Sequence, residues 1–154
     1  MSQQTMPTTE GEFLRWLIQE QPTRPYTVYI ADIQTVTEKN TGGHWSGKSR
    51  RAKLQRSLVY YTLLERLGRR CPVQPPCTVL LTRVAPRLLD SHDNLASAVS
   101  HCVDGVSDYL AGGYGHGEDR QPGLTWHYAQ RQGPPRTYGV EIVLQAEGAA
   151  RDGG

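Results

Sequence analysis

The segment LLDSHDNL, residues 88–95, crowds two carboxylates and an imidazole (Asp90, His92 and Asp93) into four consecutive positions, and Asn94 follows. An ordinary helix start needs one polar cap, so the excess raises the question of a bound cation. Beyond it, Asp93, Ser97, Ser100, His101, Asp104 and Asp108 recur at steps of three or four, a polar stripe along one side of a helix. Glu118 and Asp119 come next, after a glycine-rich loop. Hard divalent ions such as Mg²⁺ take several oxygen ligands, commonly carboxylates from separate segments with waters completing the shell. A metal held this way activates a water and neutralises charge growing on a scissile phosphate. Each residue also has a plainer reading. Asp93 suits a helix N-cap, and Asp108 reads as part of a solvated helix face. Histidines beside helix ends, such as His92 and His101, are more often surface or capping groups.

Charge is distributed unevenly around this set. Between Ser46 and Arg70 stand eight basic residues (Lys48, Arg50, Arg51, Lys53, Arg56, Arg66, Arg69 and Arg70) against one acid, Glu65. Between Leu88 and Asp119 stand six acids and no Lys or Arg. A basic segment attracts phosphate, and an acidic one repels it unless a divalent cation lies between. That is the charge layout of a metal-dependent nuclease, and equally of two elements that pair with each other. In the first case Lys48, Arg50, Arg51, Lys53 and Arg56 contact backbone phosphates with little sequence preference.

The elements that must position these residues are read from periodicity. GEFLRWLIQE predicts a short amphipathic helix ended by Pro22, and YTVYIADIQTV a strand. KSRRAKLQRSLVYYTLLERLG predicts a long helix with Leu54, Leu58, Tyr61, Leu64 and Leu67 on its apolar side and Gly68 as its stop. CTVLLTRV is a second strand. A helix capped by Asp93 then runs to about Leu110, with Leu95, Val99, Cys102, Val103, Val106 and Leu110 facing the core. LTWHYAQ and TYGVEIVL predict a terminal hairpin across RQGPPR. The order β-α-β-α-β-β implies an α+β domain, a mixed sheet packed with helices.

At 154 residues the chain fits one domain with one core. It divides into an N-terminal extension over residues 1–25, a domain over 26–145 and a small polar tail over 146–154, expected to be disordered. No apolar run is long enough to span a membrane. The N-terminus lacks a charged segment followed by an apolar one, and three cysteines (Cys71, Cys77, Cys102) form no C-x-x-C knuckle. A reduced, cytoplasmic protein is the expectation.

LLDSHDNLASAVSHCVDGVSDYL, followed by GEDRQPGLTWHYAQRQGPPRTYGVEIVL, resembles the RusA-type Holliday junction resolvases, particularly those of phages. The resemblance covers roughly residues 26–145 and is most specific at DNL (93–95), VDGVSDYL (103–110), EDRQP (118–122) and the last two strands; HWSGKSRRAKLQR resembles the family's basic helix. It implies a homodimeric, Mg²⁺-dependent endonuclease, with Mn²⁺ as a substitute ion, acting on four-way DNA junctions in a bacterial or phage-infected cell. By position Asp93 matches a metal ligand, Asp119 the second acid of the acidic pair, and Asp104 the acid of the intervening helix. In the family's D-x-D-N-L pattern the first Asp stands two places before the second. Here that place is Ser91, so Asp90 or His92 supplies the further ligand. The family's helical lysine, four residues before the helical Asp, is Ser100. Two outcomes are implied: a junction-cleaving enzyme using Asp90, Asp93 and Asp119, or a catalytically weakened protein that binds branched DNA without cutting it.

Overall fold

The computed structural model describes residues 25–36, 45–117 and 121–147. The helix expected near residues 13–18 lies outside the described residues, as do Glu118, Asp119 and the chain after Glu147. Among the described residues seven elements run in order: β1 (Tyr26–Ala31), α1 (Trp45–Leu67), β2 (Cys77–Ala85), α2 (His92–Ala98), α3 (Ser100–Ala111), β3 (Leu124–Gln132) and β4 (Gly139–Ala146). The fold is a single α+β domain with a mixed four-stranded sheet. The first strand stops at Ala31 because Asp32 adopts a left-handed backbone (φ 63°), which a short polar side chain tolerates.

The sheet order is β1-β4-β2-β3. β4 runs antiparallel to both neighbours, with Ile142 opposite Val28 on one side and Leu81 on the other. β2 and β3 are parallel, Leu81 beside Tyr128. The expected β3–β4 hairpin is therefore corrected: β2 lies between them. β4 carries Val140, Ile142 and Leu144, all fully buried, and a strand so apolar is best satisfied with partners on both edges. β3 exposes Thr125, His127, Arg131 and Gln132 and takes the edge, where charge blunts unwanted pairing. The 133–138 connection crosses the end of β2, tied by Gly133 N–H to the Ala85 carbonyl at 2.9 Å.

Parallel strands need a crossover, and α2 with α3 supplies it, carrying the acid-rich turn out from the carboxyl end of β2. Such strand ends are where open sheets usually place ligands. The single helix expected to run to about Leu110 is two helices meeting at the buried Val99. There Ser100 Oγ donates to the Ser97 carbonyl at 2.9 Å, occupying an acceptor that a continuous helix gives to a backbone N–H.

Helices α1 and α3 cross closely. A Cβ on Gly105 would stand 2.7 Å from both the Arg56 carbonyl oxygen and Val59 Cβ, so only glycine permits this approach. The core gathers Val59 and Leu63 of α1, Cys102 and Val106 of α3, Val79 and Leu81 of β2 and the β4 apolar set. The apolar side expected for α1 is corrected in part: Leu54, Leu58 and Tyr61 are exposed and the buried side is Gln55, Val59, Tyr60 and Leu63, while Leu64 and Leu67 pack partly buried against the core as expected. β4 continues to Ala146, and Thr78 Oγ1 donates to Glu147 Oε1 at 2.8 Å, so the start of the expected tail is ordered.

Candidate metal and nucleic-acid site

The acid-rich turn is held from below by β3. Leu89 N–H donates to Gln130 Oε1 and Gln130 Nε2 donates to the Leu89 carbonyl, both at 2.8 Å, a side-chain imitation of a strand ladder. Two residues on, Gln132 Nε2 donates to the Pro86 carbonyl at 3.0 Å. These glutamines fix residues 86–89 and so aim the acid-rich turn at Asp90–Asp93. The sequence carried a signal for them, since two Gln at i and i+2 share one face of a strand, but their partners lie more than forty positions away.

Ser91, not Asp93, is the N-cap: its Oγ accepts from Asn94 N–H at 3.1 Å. Freed of capping, Asp93 sits exposed in the first turn of α2, where a carboxylate suits the positive end of a helix. It lines a cavity of about 420 Å³ together with Ser97, Ser100, Asp104 and Tyr128. Asp90 is exposed and outside that lining; its Oδ1 accepts from Asn94 Nδ2 at 3.2 Å. The His92 ring lies 6.1 Å from that of Tyr128. The structure thus brings Asp93 and Asp104 to one cavity with Ser100 between them in sequence, and leaves Asp90 one short step away on the same turn. Asp119 lies outside the described residues. Among the described residues, no group of three or more His, Cys, Asp or Glu is placed to hold a metal ion. In kind, however, carboxylates and hydroxyls on one open cavity suit a hard cation rather than a soft one.

Asp108 is the clearest correction on the stripe. Its side chain is fully buried, and Arg56 Nε and Nη2 donate to its two oxygens at 2.6 and 2.8 Å. Gly117 N–H donates to Oδ1 at 2.9 Å. Burial pushes this carboxyl up, but the Arg56 hydrogen bonds, the Gly115 and Gly117 backbone N–H groups and the Arg56 charge outweigh it. The carboxyl is held below its ordinary 3.8. The solvated-face reading fails because the loop after α3 folds back over the residue. Arg56 is accordingly a structural cation joining α1 to α3, with the Tyr114 ring 5.7 Å from its guanidinium, rather than an open phosphate contact. This one pair realises the alternative in which the basic and acidic helices pair.

Of the other basic residues expected to meet phosphate, Arg50 and Lys53 are exposed and form no ion pair with a described residue, while Lys48 and Arg51 are half-buried. All three cysteines are free thiols. Burial pushes Cys77 up to about 11 and Cys102 up to about 12, so both are inert at neutral pH.

Fold and cavity together define a class: a single α+β domain with an acid-lined cavity between the crossover helices and Tyr128 of the edge strand β3. No family model matches the chain, and no curated protein or solved structure matches it either. No helix among the described residues is long and apolar enough to cross a membrane.

Proposed function

We propose that the protein is a RusA-like, metal-dependent endonuclease acting on branched DNA, four-way junctions above all, as a homodimer. The observation that carries this reading is the cavity shared by Asp93 and Asp104, acids that match the family motif by position, beside Ser100 in the place of the helical lysine. Asp93 and Asp104 are oxygen donors from two helices, with Asp90 on the preceding turn and Asp119, which follows α3 in sequence, completing the set. When bound, Mg²⁺ supplies charge neutralisation on the phosphate and a more acidic water. The chain's own part is to aim the carboxylates, through the Ser91 cap and the Gln130 clamp, and to present the phosphate. Arg50 and Lys53, with Lys48 and Arg51, hold the flanking backbone. Asp93→Asn is expected to abolish Mg²⁺-dependent nicking of a labelled junction while the gel shift of that junction is retained. Nicking at the parent rate would remove Asp93 from the site.

A second reading, a junction-binding protein with weakened chemistry, is favoured by Ser100. Its hydroxyl is tied to the Ser97 carbonyl and brings no positive charge to the cavity. Ser100→Lys separates the two. A lysine here faces a developing phosphate charge, for which one well-placed donor is worth about 10²–10³ in rate. A gain of that order identifies a decayed site. An active parent that gains nothing already has its cation.

A further inference from the structure

Towards the carboxyl end of β2 lies a buried charge that the proposed chemistry does not use. Arg83 is an interior strand residue, between Val140 of β4 and Gln130 of β3, and only 7 % exposed. Its Nε donates to Thr35 Oγ1 at 2.9 Å and its Nη1 to the Arg87 carbonyl at 2.8 Å. Both acceptors are neutral, and no carboxylate among the described residues pairs with it. A guanidinium cannot shed its proton to escape burial, and a buried charge without a counter-charge is costly. The rest of the fork, with the exposed Arg87 side chain, Tyr138 and Gln34, lines a cavity of about 260 Å³. At roughly 30 Å³ of liquid per water that cavity holds a tetrahedral oxyanion with its hydration.

We propose that Arg83, Arg87 and Tyr138 form an oxyanion-binding site for a phosphate group. The planar fork of Arg83 matches two phosphate oxygens, Arg87 adds a mobile second charge at the mouth, and the Tyr138 phenol is a further donor. Arg83 is held at Nε by Thr35 and at Nη1 by the Arg87 carbonyl, so its orientation is fixed before a ligand arrives. Two sources supply this chemistry, a free phosphate or a phosphate of a nucleic-acid backbone. Backbone binding is favoured by the register: Gln130, beside Arg83, also grips Leu89, next to Asp90. A strand seated here runs on towards the acid turn. That extension rests on the endonuclease reading, whereas phosphate binding itself does not.

The test is a thermal melt of the full chain in inorganic phosphate and in chloride at equal ionic strength, for the parent, Arg83→Gln and Arg87→Gln. The parent is expected to show a saturable rise in Tm with phosphate beyond that in chloride. Arg87→Gln should need about tenfold more phosphate for the same rise, and Arg83→Gln should show none. If Arg83→Gln does not fold, the exposed Arg87→Gln decides alone. The same proteins are then titrated into a fluorescent DNA duplex with and without phosphate. Competition, with weaker DNA binding by Arg87→Gln, assigns the site to backbone phosphate; independent binding assigns it to free phosphate. A phosphate effect no larger than that of chloride, or one unchanged in Arg87→Gln, overturns the site. Loss of nicking alone leaves it standing.

Discussion

Asp108 and Asp93 stand on one helical stripe in sequence and have opposite fates. Asp93 remains on an open cavity, whereas Asp108 is closed in by Arg56 and by the turn at Gly117. Periodicity placed both on one side of a helix, but which part of that side meets solvent depends on the loop beyond it. Breaking a buried pair by deleting one member is costly, so Asp108→Ala is expected to lose about 3 kcal/mol in urea unfolding. Because Asp108 titrates lower folded than unfolded, its contribution is fully present above the ordinary 3.8 and disappears as pH falls through the depressed value. Melts from about pH 6 down to about pH 2 should show acid destabilisation in the parent and a shallower one in Asp108→Asn. Equal slopes would assign the acid sensitivity to other carboxylates.

At the scale of elements, most strands and the long basic helix were legible from alternation and 3.6-residue periodicity. Their pairings were not. TWHYAQRQG and TYGVEIVL satisfy a hairpin locally, and only the demand of β2 and β4 for apolar neighbours on both edges separates them. The first half of α1 departs from its expected side for a related reason, while Leu64 and Leu67 keep it. Leu54, Leu58 and Tyr61 form as good a stripe as Gln55, Val59 and Leu63, yet Arg56 must reach Asp108 and Gly105 must meet Val59. Leu63→Ala should therefore cost about 2–5 kcal/mol of stability, and Leu54→Ala well under about 1 kcal/mol. Gly105→Val should destabilise by about 1–3 kcal/mol or prevent folding by forcing α1 and α3 apart. Similar melting temperatures for Leu63→Ala and Leu54→Ala would reverse the assignment of faces.

For the whole molecule, the crossover between parallel strands explains why Asp93 and Asp104, eleven positions apart, share one cavity against Tyr128 of β3. The sequence revealed the residue types and the charge asymmetry. It did not reveal that Asp104 joins Asp93 while Asp90 turns to Asn94, because periodicity shows neither the Ser91 cap nor the break at Val99. Neither did it single out Arg83, a lone arginine in an apolar run until the sheet closes around it. The central claim is tested by incubating the protein with a labelled four-way junction and a matched linear duplex, with Mg²⁺ and with EDTA. Symmetric, Mg²⁺-dependent nicks confined to the junction, absent in Asp93→Asn, are the expected result. Cleavage that persists in EDTA, or binding that does not distinguish junction from duplex, would contradict it.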